Sequence, residues 1–207
     1  MAANEITVRF EFKTAPPLIT TGLGYEVRLT KGHIASFSVS LVPCTAGNRV
    51  WHNAGFFISS AQAGHGRGLL PHQLIRPVAE GLQRPRPRVF GKFTPPDQAY
   101  CKVHYVAAGV RKLGGLSMRL KGAWRRPLGA WHPFHAKSAA NFGAFLSLTE
   151  SGGGLHRSTV SGFRTLTLTR DLSRLFQGVR FAEWDASAMR KRILRNFVNH
   201  TSARLER

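Results

Sequence analysis

The sequence predicts a mainly β protein, an antiparallel β-sandwich carrying a short helix and a C-terminal amphipathic helix. Three observations predict it. Short runs of alternating apolar and polar residues recur along most of the chain. Clusters of Gly, Pro, Asn and Asp separate them, as turns require. Only after Asp171 does the apolar period change from two to that of a helix. At 207 residues the chain suits one large all-β domain spanning residues 1–207, with no internal repeat and no low-complexity segment.

Ile6–Phe12 places Ile6, Val8, Phe10 and Phe12 on one face against Thr7, Arg9 and Glu11, so it is a strand with one buried side. Ala15-Pro16-Pro17 ends it, and Thr20–Gly24 is a loop. Tyr25–Leu29 alternates again. Lys31-Gly32 is expected to turn the chain, and Ile34–Val42 to follow with Phe37, Val39 and Leu41 inward and Ser36, Ser38 and Ser40 outward. Val50–Ile58 fits neither pattern cleanly. Ala61–Pro77 carries Gly64, Gly66, Gly68, His65 and His72, which suits a long loop of the kind that carries binding groups.

Leu74–Leu82 reads as a strand or a single helical turn. Arg84-Pro85-Arg86-Pro87-Arg88 is extended, because each proline drives its predecessor out of the α region; it is either an edge spacer or an anion-binding arm. Val89–Phe93 and Tyr100–Val106 are strands joined through Thr94-Pro95-Pro96-Asp97, and Ser117–Leu120, Phe142–Leu148 and Thr165–Leu168 are further short strands. Asp171 caps a short helix Leu172–Gln177 that Gly178 stops. Asp185 caps a longer one from Ala186 to about Arg204, with Met189, Ile193 and Phe197 recurring at i, i+4, i+8 and Leu194 and Val198 beside them.

Thirty Lys and Arg stand against ten Asp and Glu, a formal charge of +20, which implies an acidic partner such as nucleic acid or lipopolysaccharide. The excess is uneven. It is 5 − 3 = +2 for residues 1–60, 14 − 2 = +12 for 61–137 and 11 − 5 = +6 for 138–207. Arg84, Arg86, Arg88, Arg125 and Arg126 are the candidate polyanion contacts, since cations interleaved with Trp and Phe suit phosphates and bases together. No stretch is apolar for long enough to span a membrane, and Met1–Phe12 has no apolar leader core. The chain is therefore expected in the cytoplasm, or in the periplasm or outside the cell if a leader has been removed.

Carboxylates are too sparse for paired-carboxylate hydrolysis: between Glu26 and Glu150 stand only Glu80 and Asp97. No G-x-S-x-G elbow, phosphate-binding loop or dinucleotide fingerprint occurs, and Gly152-Gly153-Gly154 reads as a turn. A non-catalytic protein is expected. Histidine offers more. His65 and His72 share one loop, His132 and His135 are spaced i, i+3 among aromatics, and imidazoles suit copper or zinc. Cys44 and Cys101 either form one disulfide, stabilising by roughly 4 kcal/mol in the chain-entropy model, or are two buried thiols.

An ordered series of segments resembles the MbnP-like copper-binding proteins of metallo-mystery-pair operons. The series is EVRLTKGHIASFSVSLVPC ending at Cys44, the loop AQAGHGRG, the strand entry FGKFTPPDQAYCKVHYV, then GGLSMRLKGAW and the closing LTRDLSRLFQGVRFAEWDA. The resemblance implies an envelope β-sandwich that binds copper, with His65 matching the family's loop histidine and Cys44–Cys101 a disulfide. It also implies a dihaem peroxidase-like partner, which in some relatives oxidises a tryptophan. The expectation is a copper-binding envelope protein, with His65 and His72 as first ligands and His132 and His135 next; the alternative is a basic polyanion-binding module.

Overall fold

The computed structural model describes residues 4–13, 17–44, 72–150, 158–159 and 162–206. Twelve strands precede and follow one helix: β1 (Glu5–Lys13), β2 (Ile19–Thr20), β3 (Glu26–Pro43), β4 (Gln73–Gly81), β5 (Arg88–Phe93), β6 (Ala99–Ala107), β7 (Met118–Arg125), β8 (His132–Ser138), β9 (Phe142–Glu150), β10 (Ser158–Thr159), β11 (Phe163–Asp171), α1 (Ala186–Asn199) and β12 (Thr201–Glu206). The protein is mainly β with a helix near its C-terminus, as the alternating runs predict. The strands form one strongly curled sheet, a half-barrel, in the order β5-β1-β11-β12-β9-β6-β3-β7-β8. Pairing is mixed rather than purely antiparallel, because β1 runs parallel to β11 and β12 parallel to β9.

The spine is β3, 18 residues long. Its registers with β7 (residues 26–34) and β6 (residues 36–43) follow one another along one edge, while β2 and β4 occupy the other. The expected turn at Lys31-Gly32 is absent. A bulge between Leu29 and Lys31 keeps the strand running, and Gly32 packs where a Cβ would lie 2.7 Å from Leu29. A second bulge between Ser36 and Ser38 shifts the alternation by one. Val39 and Leu41 face inward as expected, but Ser36 also turns into the core and Phe37 is only partly buried.

Three further boundaries differ. The Trp131–His135 stretch, read as a histidine cluster, begins β8, where Phe134 and Ala136 are buried and His135 and Lys137 exposed. The last helix stops at Asn199, capped by His200. Residues 201–206 alternate buried Thr201, Ala203 and Leu205 with Ser202 and Arg204 outside, a strand pattern that the helical stripe had overrun. The short helix after Asp171 is a single 3₁₀ turn, Leu172–Arg174, and Gly178 at φ +67° ends the segment. Val50–Ile58, most of the Ala61–Pro77 loop and Gly152-Gly153-Gly154 lie outside the described residues. The cap at Asp185 holds as expected: its carboxylate accepts from the Ser187 and Ala188 amides, and those bonds, Ala188 first, hold its pKa below the usual value.

The concave side holds the core. Ile6, Val8 and Phe10 of β1, Leu166 and Leu168 of β11, Val103 and Tyr105 of β6 and Leu120 of β7 are buried there with Met189, Ile193 and Phe197 of α1. Among these apolar side chains lies a charge. Arg170 of β11 is 0% exposed, and its Nη2 donates to Ser36 Oγ (2.8 Å), Glu80 Oε1 (3.0 Å) and Tyr105 OH (3.0 Å). Ser36 in turn donates to Glu80 Oε1, which leaves Tyr105 as the donor to Ser36 (2.6 Å). Burial pushes the Tyr105 pKa up, Arg170 opposing it, so the phenol keeps the proton it donates. The Arg170 guanidinium carbon also sits 3.8 Å from the Phe10 ring centre, and the Phe12, Tyr105 and Phe197 rings lie within 5.3 Å.

Outside the core, Cys44 and Cys101 form a disulfide with a Cα separation of 4.9 Å, joining the end of β3 to β6 across 57 residues.

Two stability outcomes follow. Arg170→Met strands Glu80 without its cation and is expected to lower the unfolding free energy by about 3–5 kcal/mol. The double variant Arg170→Met/Glu80→Leu is expected to be more stable than that single; urea titrations summing the two losses would show that the pair is not coupled. Reduction of the disulfide is expected to cost about 4 kcal/mol by the loop-entropy relation. An unchanged urea midpoint in reductant would contradict it.

Candidate functional site

Of the four histidines proposed as copper ligands, the structure places His132 and His135 on opposite faces of one strand. His65 lies outside the described residues. His72 precedes β4, and its carbonyl accepts from the Leu41 amide at 2.9 Å. His132 and His135 are three apart on β8, and a strand sends residues at that spacing to opposite faces. His132 stacks on Trp124 (centroids 4.7 Å apart), on the parity of the buried residues, whereas His135 is exposed opposite Lys121. Among the described residues no group of three or more His, Cys, Asp or Glu could hold a metal ion.

The five arginines proposed for a polyanion separate into two places. Arg84, Arg86 and Arg88 line a cavity of about 320 Å³ together with Phe12, Glu80 and Gly81. Arg125 belongs elsewhere, at the end of β7, where it pairs with Glu26 (2.6 Å) and lies 4.6 Å from the Trp131 ring centre. Arg28 approaches the same ring at 4.5 Å, and Arg126 lies over Tyr25 at 5.9 Å.

Register builds a surface that residue spacing alone did not disclose. On the convex side of β3, β7 and β8, one row reads His33, Arg119, Lys137 and the next Lys31, Lys121, His135. A third continues with Arg28, Ala123 and Pro133, and the row ends at Arg125 with Glu26. The inward parity of the same strands is Ile34, Met118 and Leu120, which is why the cations all emerge on one side. Arg28, Lys31, Arg119, Lys121 and Lys137 have no carboxylate partner among the described residues. Like charges set directly opposite across strands destabilise a sheet, so these rows weaken the fold unless an anion covers them. The i, i+2 spacing of Arg119 with Lys121 and of His135 with Lys137 was visible in the sequence. That β3 lays Lys31 and His33 beside them was not.

On β6 and β9, His104 stacks on the exposed Phe145 at 4.7 Å. Burial lowers the His104 pKa, and burial with Arg174 nearby lowers that of His200. Both folded values lie below the unfolded one, so the unfolded chain binds more protons between them and stability rises with pH there. Stability is therefore expected to be full above about pH 6.5 and to fall as pH drops from there through the folded values. His104→Gln is expected to flatten part of that fall in urea midpoints measured from neutral to mildly acidic pH; an unchanged slope would mean that His104 is not the group responsible.

Comparisons with family models, curated protein sequences and solved structures give no match to this chain.

Proposed function

We propose that the chain is a non-catalytic polyanion-binding module, and that its ligand is a nucleic acid strand lying along the convex face of β3, β7 and β8. The observation that carries this is the pair of cross-strand rows His33–Arg119–Lys137 and Lys31–Lys121–His135, with Arg28 beside them. Along a strand, alternate residues recur every 6.6 Å or so, giving a linear array of cations suited to a linear array of phosphates. Arg28 and Arg125, both held against Trp131, add guanidinium groups and an indole at which bases can stack. An acylated anion such as lipopolysaccharide fits less well, because no large apolar side chain lies within these rows to receive acyl chains. The Cys44–Cys101 bond supports an oxidising compartment, the periplasm or the outside of the cell, as the place of action.

The test is anisotropy of a labelled single strand ending in a 5′-hydroxyl, titrated with protein from about 50 to 200 mM salt. Contact through Arg28, Lys31, Arg119, Lys121 and Lys137 corresponds to a slope of log K against log salt of about −3.5, at roughly −0.7 per contact. Lys31→Glu/Lys121→Glu is expected to make that slope shallower by about 1.4 and to weaken binding about tenfold or more. Salt-independent binding, or binding to acidic lipid vesicles with none to the strand, would overturn the proposal.

A further inference from the structure

The cavity lined by Arg84, Arg86 and Arg88 is chemically unlike the open face, because a buried acid is among the residues that line it. Glu80 is 3% exposed yet lines the cavity beside Phe12 and Gly81. Its Oε1 is held by Ser36 and by Arg170, whereas its Oε2 is buried and has no hydrogen-bond partner among the described residues. A buried carboxylate oxygen left without a donor is costly, of the order of 1–3 kcal/mol, so a group that donates to it gains more than one meeting water-exposed oxygen. The other charged groups lining the cavity are opposite in sign. Arg84, Arg86 and Arg88 are exposed and have no carboxylate partner among the described residues, and each preceding proline restrains the backbone that presents the next arginine. Phe12 supplies an apolar side.

We infer that this cavity binds a phosphomonoester that also carries an N–H or O–H donor, the chemistry of a nucleotide. The arginines take the phosphate, Glu80 Oε2 accepts from an exocyclic amine, ring N–H or sugar hydroxyl, and Phe12 borders the flat base. Glu80 confers the selectivity. A deprotonated phosphate oxygen brought against Oε2 meets like charge, whereas a donor carried on another part of the ligand satisfies it while the phosphate stays on the arginines. The volume, about 320 Å³, is at the small end of ligand cavities and suits a single nucleotide rather than a strand.

The cavity also adjoins the basic face. Gly81, on its rim, is the register partner of His33, which begins the row His33–Arg119–Lys137. The chain entering the arginine arm is tied back to β3: the Leu82 amide donates to Gly32 O at 3.0 Å, and the Gln83 side-chain amide donates to Thr30 O. A strand lying on the face can therefore place a phosphorylated end in the cavity. That second form of the ligand rests on the function proposed above; the free mononucleotide form does not.

The experiment is calorimetric titration of the full chain, disulfide intact, with adenosine monophosphate, guanosine monophosphate and inorganic phosphate in turn. A nucleotide is expected to bind about tenfold more tightly than phosphate, the worth of one hydrogen bond to a charged acceptor. Arg84→Ala/Arg86→Ala, at exposed positions, is expected to weaken the nucleotide about tenfold, each lost phosphate contact being charge-assisted. Glu80→Gln is expected to erase the preference over phosphate, provided circular dichroism shows it folded; the wild-type preference is read independently of that variant. Lys31→Glu/Lys121→Glu is expected to leave mononucleotide binding unchanged. A labelled strand with a 5′-phosphate is expected to outbind its 5′-hydroxyl form in the wild type and to lose that advantage in Arg84→Ala/Arg86→Ala. Inorganic phosphate binding as tightly as either nucleotide would overturn the role of Glu80. No binding of any mononucleotide would overturn the site itself, even where the salt-dependent binding of a strand survives.

Discussion

The guanidinium of Arg170 is the constraint around which the rest of the half-barrel is arranged. It joins β11 to Ser36 of β3, Glu80 of β4 and Tyr105 of β6 by hydrogen bonds, and it faces the rings of Phe10, from β1, and Phe197, from α1. A charge taken out of water is tolerated only where its partners are placed well, so five strands and the helix must arrive in one register for the arrangement to form. A hydrophobic residue at position 170 would demand only volume. Arg170 demands particular partners, and it dictates that β4 turn Glu80 inward even though the strand's other central side chains are partly exposed.

That inward acid has a consequence at the surface. With Glu80 anchored, the chain leaves β4 into Arg84–Arg88, and the acid and these arginines line one cavity. The same side chain thus ends an internal network and begins an external site. The convex rows of β3, β7 and β8 are the complementary case. There, cations are collected without acids, apart from Glu26, and the core beneath them carries the energetic cost. The cross-link between Cys44 and Cys101 and the packing of α1 across the concave side offset a surface whose own charges repel.

The two surfaces suit different parts of one kind of ligand. A row of exposed cations recognises spacing of charge and is sensitive to salt, but it reads little else. A cavity lined by both arginines and a carboxylate distinguishes one small group from another, because burial makes an unmet hydrogen bond expensive. Their junction lies where Gly81 of β4 pairs with His33 of β3, so both depend on the uninterrupted course of β3 past Gly32. A chain reversal at Lys31-Gly32 would have separated Arg28 and Lys31 from His33 and divided the face in two.

By itself the sequence determined the fold class, most strand positions, the helix cap at Asp185 and the inward sets Ile6–Val8–Phe10 and Met189–Ile193–Phe197. Each of these depends on alternation or on a local hydrogen bond, and such signals are written within a few neighbouring residues. The clustering of charge in residues 61–137 was equally plain, and so was the choice between a disulfide and two thiols. The structure decided that choice, together with everything that depends on distant residues meeting. The bulge between Leu29 and Lys31 made one strand of two expected ones, and the bulge between Ser36 and Ser38 turned Ser36 inward, because a single extra residue reverses every later side chain without altering composition. The spacing of His132 and His135 suggested a ligand pair, yet β pairing sends them to opposite faces. Arg84, Arg86 and Arg88 line a cavity while Arg125 lies against Trp131 at the end of β7, surroundings that residue spacing does not give. Arg170 and Glu80, ninety residues distant in the chain, carried no local sign of their partnership. Only tertiary packing could create it, since a buried charge acquires its meaning from the groups that enclose it.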